Sequence, residues 1–405
     1  MISFDEAQRR LTALAADLPL GVERVGIDAA CGRVLGEDLR SPCDLPAFDH
    51  SSMDGYAVGV ASFSSEGPWT LPVVGESRPG TPPSDLVPGC ACRIFTGAEL
   101  PRGADAVVMQ ERVARAGDRA TFDTKPAKGA FVRRRGEDLE KGALALPRGT
   151  RLRPAHLGLA AVCDRAWLLV ARRPSVTILC SGDELRWPGT PGDPGTIPES
   201  NGIALRAMAE RAGAAVRVAP SVGDDRADTE RALAAALDGV DVLVTVGGVS
   251  VGEHDWVRPA LEAVGVVIDF WKVAIKPGKP LVVGRRGRQI VVGLPGNPAS
   301  AQVTFALFGV PLLRALAGDR APLASRRSAR LASAFHRAEA GRTEFVRVTF
   351  GRRDGETWAT PLANQMSGAS VSMAHADGLL VVPEASTGLP QGELCEVLSL
   401  EELGA

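Results

Sequence analysis

The stretch VDVLVTVGGVSVGEHDW, Val240 to Trp256, joins a mostly apolar run to paired glycines and then to Glu253, His254 and Asp255. A short β-branched run bounded by glycine reads as a strand buried on both faces, which is the habit of strands in parallel sheets. The pattern recurs on either side. After Arg173, Val176 to Cys180 reads as a strand, Asn201 to Ala212 as a helix, Ala215 to Ala219 as a strand and Asp228 to Leu237 as a helix. Beyond the quoted stretch come a helix near Val257 to Val264, strands near Val266 to Trp271 and Ile290 to Gly293, and a helix from Pro298 to Leu316. Strands alternating with helices predict a doubly wound α/β domain with a central parallel sheet.

The flanks read differently. Ser3 to Leu18 is amphipathic and opens with Ser3 and Glu6 in capping-box spacing. From about Pro68 to Val132, segments such as TLPVV, CRIFTGA, DAVVMQERV and ATFDT alternate between Gly and Pro turns, which predicts a β-rich insertion domain. Another helix is expected from Pro154, because proline suits the first helical position. Beyond Ser325, TEFVRVTF, TWATPL, GLLVVPE and GELCEVLSL predict a small C-terminal β domain. TPGDPGTIPES reads as a Gly/Pro-rich surface loop, and internal repeats are absent from the sequence.

A chain of 405 residues has room for about two to four domains and a sizeable core. Its 46 Lys plus Arg nearly balance 48 Asp plus Glu, for a formal charge of -2, so no general field draws nucleic acid or an anionic membrane. Anion binding must therefore be local. The N-terminus MISFDEAQRR has no apolar signal core and no run of about 18 apolar residues occurs, which fits a cytoplasmic protein. Seven scattered cysteines do not resemble a disulfide framework. Cys90 and Cys92 lack a second ligand pair for zinc, so buried thiols are expected. Three of the six lysines, Lys272, Lys276 and Lys279, fall in WKVAIKPGKP, and the single tyrosine, Tyr56, falls in MDGYAV.

Ligands of open α/β sheets bind outside the carboxyl ends of the strands, so the loops that follow the strands form one candidate site. These loops are SGDEL (181–185), SVGDD (221–225), GGVSVGEHD (247–255), KPGKP (276–280) and LPGNPAS (294–300). Glycines such as Gly247 and Gly248 let backbone donors approach a ligand, and the helix start at Asn297 and Pro298 offers unpaired N–H groups to an anion. Lysines among carboxylates suit a phosphorylated ligand with a divalent cation, because Mg²⁺ is held by one or two carboxylates plus phosphate oxygens. Plainer readings stand beside these. Asp224 and Asp225 are equally suited to capping the next helix, Glu253 and Asp255 to a helix dipole, and His254 to packing. The glycine pair matches neither a dinucleotide fingerprint nor a P-loop. In the N-terminal half, MDGYAV (53–58), RIFTGAELPRGADAVVMQE (93–111) and RRRGED (133–138) are further candidates, each also readable as a turn.

Taken in order, PAFDHSSMDGYAV, TGAELPRGADAVVMQE, VRRRGEDL, SGDEL, GDD, GGVSVGEHD, FWKVAIKPGKP, GLPGNPAS, EFVRV and NQMSGAS resemble the molybdopterin molybdenumtransferase family, which includes the gephyrin E domain. The resemblance implies an elongated homodimer of four subdomains. The first is discontinuous (1–45 and 139–173), the second is the β-rich insertion (46–138), the third the α/β molybdopterin-binding domain (174–322), and the fourth a C-terminal β barrel (323–405). It implies a cleft between the α/β domain of one subunit and the β-rich domain of its partner. The implied reaction inserts molybdate into adenylylated molybdopterin with Mg²⁺, releasing AMP and molybdenum cofactor. Molybdopterin adenylyltransferase and acceptor molybdoenzymes are the further partners it suggests.

Carried over position by position, the resemblance marks Asp54, Asp138, Glu184, Asp224 and Asp255 as catalytic acids, with Glu184 and Asp224 holding the metal. Thr96, Gly247, Gly248, Ser250, Lys272, Lys276, Lys279, Pro295 and Pro298 are implied to bind the pterin substrate. Lys276, Lys279, Ser300 and Arg347 are implied to bind molybdate, with Ser367 or Ser370 adding a hydroxyl. Two rivals fit less well. The adenylyltransferase family is short and carries TGGTG-like glycines, whereas this chain has GGVSVG and the extra MDGYAV and RGED regions. A purely scaffolding role, as for the gephyrin relative, has little support in a chain without the fused adenylyltransferase domain and long linker.

Overall fold

The structure is a computed structural model that describes residues 1–248 and 256–405. Its centre is a six-stranded sheet in the order Ala215–Val218, Ser175–Cys180, Val242–Val246, Gln289–Leu294, Val282–Arg286 and Val267–Trp271. The first four strands run parallel, as expected, and all residues of Val242–Val246 are buried. The last two strands are antiparallel additions. Val282–Arg286 was not foreseen; it returns as Gln289–Leu294 through a tight turn at Gly287, whose φ of 59° suits glycine, so the connection is a hairpin rather than a crossover. Helices Asn201–Arg211, Arg226–Leu237, Val257–Ala263 and the stretch from Pro298 cover the faces.

That last stretch is continuous to Leu316 but changes gauge midway, passing from α-helix at Pro298–Thr304 through a π-turn at Phe305–Gly309 to α-helix at Val310–Leu316. Pro311 supplies the reason: it has no N–H to donate to the carbonyl of Leu307, four residues back. Gln8 on the N-terminal helix Phe4–Ala16 donates its side-chain amide to that carbonyl at 2.9 Å. The same N-terminal helix is capped by Ser3, which accepts from the Glu6 N–H, and it buries Phe4, Ala7, Leu11 and Ala15 on one face. Phe4 meets Phe308 and Phe345 edge-on. Pro298–Leu316 is long and apolar enough to cross a membrane, but 83% of its apolar window is buried within the protein, as befits a core helix.

Phe345 belongs to a closed barrel. Strands Thr343–Arg353, Glu356–Pro361, Arg327–Leu331, Leu394–Ser399 and Gly378–Val382 pair in turn, and the last pairs back to the first. Along Thr343–Arg353, Val346 and Val348 pack inside the barrel while Phe345 joins the α/β core, as the two-residue period of a strand requires. In the N-terminal half, Val22–Gly26 pairs with Trp167–Ala171 and Leu39–Arg40 with Leu144–Leu146, around a core that includes Leu35, Leu152 and Val170. Between these pairs is inserted a six-stranded sheet, from Ala106–Met109 through Gly55–Val58, Ala91–Ile94, Trp69–Ser77 and Arg119–Phe122 to Val113–Ala116. Tyr56 is buried there, edge-on to Phe122.

The Gln8 bond gives a direct test of how the buried helix is sustained. Gln8→Ala leaves the Leu307 carbonyl without its side-chain donor and is expected to lower stability by about 1 kcal/mol. Denaturant unfolding measures it, and an unchanged midpoint would show that the carbonyl does not depend on Gln8.

Candidate functional site

Three parallel strands end level with one another, because Cys180 pairs with Val246 and Val246 with Leu294. Past these ends the chain can no longer form ladder bonds, and Ser181, Gly182, Glu184, Gly247, Gly248 and Pro295 to Pro298 line a cavity of about 440 Å³. Asn201, Asp224 and Pro280 complete much of its wall. The glycine pair is held by geometry. Gly247 and Gly248 have φ of 94° and 61°, and a Cβ on Gly247 would lie 2.8 Å from the Ser181 carbonyl oxygen. Only glycine allows this closeness without strain. Ser250 and Asp255 of the same loop lie outside the described residues, as does His254.

The two adjacent aspartates divide the roles the sequence left open. Asp225 caps helix Arg226–Leu237, accepting from the Asp228 N–H at 2.8 Å, while Asp224 faces the cavity. The loop of Asp224 is tied to SGDEL by Asp183, whose carboxylate accepts the Asp224 N–H at 3.1 Å. Glu184 and Asp224 thus share one rim, and two carboxylates beside phosphate oxygens are a fitting donor set for Mg²⁺. Among the described residues no group of three or more His, Cys, Asp or Glu side chains is gathered to hold a metal alone.

Sequence reading missed Asp183, Glu199 and Asn201. Asn201 donates to the Gly296 carbonyl at 2.7 Å, fixing the LPGNP turn, and its Oδ1 is buried without a partner. Glu199 is buried, caps the Gly202 N–H at 2.8 Å and accepts from the Cys180 thiol; burial first, then this carboxylate, pushes the thiol pKa up. PESN before an apolar run signals a helix start, but nothing in a sequence says that its acid and amide point inward.

A second neighbourhood lies where helix Pro298–Thr304 meets the barrel. The N–H groups of Ala299 and Ser300 both donate to the Ser367 carbonyl, at 3.0 and 3.2 Å. Arg347 is almost wholly buried, donates Nη2 to the carbonyls of Asn364 and Met366, and keeps Nε and Nη1 without partners; burial pulls its pKa down. The KPGKP loop packs on the same helix, since a Cβ on Gly278 would strike Thr304 Oγ1. Ser300 and Ser367 therefore meet where this helix reaches the barrel, Arg347 bonds the carbonyls just before Ser367, and the KPGKP backbone that carries Lys276 and Lys279 lies at the far end of the same helix. Ser370 begins the short helix Ser370–Ala374 that follows. Lys276 forms an ion pair with Glu344 at 2.9 Å. Lys272 diverges from the other two lysines: its ammonium stacks on the Trp271 ring at 3.7 Å, and Arg258 lies over the same ring.

In the inserted sheet, Asp54 accepts both the N–H and the hydroxyl of Thr96 at 2.8 Å, the backbone bond first and then the hydroxyl holding its carboxyl below the usual range. Asp138 is exposed, its backbone bonded to Leu45. Asp54, Thr96 and Asp138 are not among the residues lining the cavity of their own chain.

This fold and cleft define a multidomain α/β protein with a ligand-sized cavity at the carboxyl ends of a parallel sheet. Family models describe residues 2–163 as MoeA N-terminal region (domain I and II), 177–315 as a probable molybdopterin binding domain, and 328–400 as MoeA C-terminal region (domain IV). The chain is 36% identical to molybdopterin molybdenumtransferase of Synechococcus elongatus over 99% of itself and 100% of that protein. Identity to the Haemophilus influenzae molybdopterin molybdenumtransferase is 38%, over 79% of each chain. The solved molybdopterin biosynthesis MoeA protein of Pyrococcus horikoshii superposes with a TM-score of 0.80 at 32% identity, covering 98% of this chain and 99% of that one. The chain belongs to the molybdopterin molybdenumtransferase family, enzymes of molybdenum cofactor biosynthesis.

Thr96→Val removes one of the two donors to Asp54, so the Asp54 pKa is expected to rise toward the ordinary carboxyl value. If its ionised form serves the reaction, the acid limb of activity moves to higher pH. Carboxyl NMR titration of Asp54 checks the first step, and an unshifted titration would remove the hydroxyl from the account.

Proposed function

We propose that this enzyme inserts molybdate into adenylylated molybdopterin, cleaving the adenylate and releasing AMP and molybdenum cofactor. The observation that carries this reading is the adjacency of two kinds of site. A carboxylate-rimmed cleft at the strand ends shares Pro298, the start of one helix, with a cationic neighbourhood two residues further along it. A phosphoric anhydride and an oxyanion suit these two places respectively. Glycine-loop N–H groups and Asn201 with its fixed LPGNP turn bind and orient the pterin nucleotide. Lys276, Lys279 and Arg347 neutralise the molybdate dianion, and Ser300 orients it.

Mg²⁺ held by Glu184 and Asp224 would neutralise the phosphate oxygens at the scissile bond. Water is the attacking group on the anhydride, and the chain's own contribution is positioning and charge, so no covalent protein nucleophile is required. We further propose a cytoplasmic homodimer of four subdomains, divided as set out from the sequence. In it Asp54, Thr96 and Asp138 of one subunit complete the cleft of the other, which accounts for a pre-ordered Asp54 that its own cavity does not use.

Asp224→Ala is expected to lower AMP release from adenylylated molybdopterin at least about 100-fold, in line with loss of positioning and charge stabilisation. Turnover with Mg²⁺ and molybdate measures it, and an unaltered rate would refute the role. Lys279→Ala removes a charge-assisted contact and is expected to raise the molybdate requirement about 10- to 100-fold. A molybdate saturation curve identical to wild type would place the oxyanion elsewhere.

A further inference from the structure

Glu344 is a carboxylate that the reaction scheme above does not use, yet it is 5% exposed and pairs with Lys276, one of the lysines assigned to molybdate. Burial of such a charge is costly unless it is paired. Its Oε1 lies 2.9 Å from the Lys276 ammonium and its Oε2 3.6 Å from the Arg337 guanidinium. Arg337 is itself 6% exposed and donates to the carbonyls of Arg342, Pro383, Glu384 and Ser386. That web leaves the guanidinium little freedom to move, and places a fixed positive charge near Oε2, which is buried without a hydrogen-bond partner.

Backbone pairing sets the meeting of Glu344 and Lys276. Ile275–Lys276 adds to the barrel as a parallel strand, with Lys276 directly opposite Glu344. Lys276 is half exposed, on a long flexible stem that would otherwise sample many directions. Arg347 leaves the same barrel strand three residues later. By strand alternation the two side chains leave opposite faces, Arg347 on the face of Phe345 toward the α/β core and Glu344 on the face of Val346 and Val348.

We propose that Glu344 is a positioning residue that holds the Lys276 ammonium for oxyanion binding, with the Arg337 guanidinium as the nearby charge that offsets burial of the carboxylate. This rests on the molybdate-binding reading of Lys276. A held ammonium meets the dianion without first losing its rotamer freedom, so the carboxylate acts on oxyanion capture rather than on the bond-breaking step. It also makes the C-terminal barrel a working part of the site.

The test is molybdate saturation kinetics on the full chain for wild type, Glu344→Gln, Lys276→Ala and the double variant. Glu344→Gln is expected to raise the molybdate KM about 3- to 10-fold with kcat nearly constant, the pattern of lost binding. In the Lys276→Ala background the same change should add less than about twofold, since its partner is gone. Glu344→Asp keeps the charge and should give an intermediate KM with a native melting curve. If Glu344→Gln does not fold, the Asp variant carries the comparison. An equal effect of the Glu344 change with and without Lys276, or a lowered KM, overturns the positioning role. A raised KM in Lys276→Ala with an unchanged one in Glu344→Gln overturns that role alone, whereas an unchanged KM in Lys276→Ala overturns the reading beneath it.

Discussion

A helix buried along nearly all its length must satisfy every backbone group without water, and Pro298–Leu316 is such a helix. The demand is sharpest at Leu307, whose carbonyl Pro311 cannot serve. The fold meets it by widening the turn and bringing Gln8 from the N-terminus across the core. With that bond come Phe4, its aromatic contacts to Phe308 and Phe345, and hence the barrel. Chain start, sheet domain and C-terminal barrel are therefore packed around one rod. Its N-terminal end, at Pro298, opens on the cleft. The same packing that stabilises the core thus sets where the functional loops meet.

The site follows from where regular pairing stops. Level strand ends leave short loops whose donors have no ladder partner, and the loops stay ordered by bonding to one another. Asp183 holds the Asp224 loop, Asn201 holds Gly296, and the Ser367 carbonyl receives Ala299 and Ser300. Each bond joins residues distant in sequence. The cationic side is built in the opposite way, with Arg347 driven into a buried position where two of its donor nitrogens find no protein partner. Buried guanidinium groups are ordinarily paired, and this unfilled bonding capacity is what supports the molybdate role proposed for Arg347.

The parallel sheet was legible because Val242–Val246 is apolar at every position, and the loops were legible because glycine and charged residues follow each strand. Antiparallel pairing at the far edge was not, since Val282–Arg286 runs from apolar residues into two arginines and resembles a loop entry. Arg327–Leu331 escaped notice for a similar reason, being half polar and buried only at alternate positions. At the site, charged residues in the loops after the strands marked Glu184, Asp224 and the lysines as candidates. Their partners stayed hidden. Asp183, Asn201, Glu199 and Glu344 matter through burial and long-range register, which no local pattern encodes; Glu344 faces Lys276 only because a two-residue strand happens to join the barrel there.

That distribution explains why three lysines in one short motif are not equivalent. Lys272 is turned aside at a positive φ of 68° and satisfied by an aromatic face. Lys276 is satisfied by a buried carboxylate that also lies near Arg337. Lys279 is exposed, and among the described residues no ion pair neutralises it. A dianion bound as proposed would thus meet charges at three levels of prior commitment. Full neutralisation of all three would leave no attraction, and three free ammonium groups would repel one another and wander. With Lys276 held and Lys279 outside any ion pair among the described residues, the proposed site would capture an oxyanion while still allowing the loaded cofactor to leave.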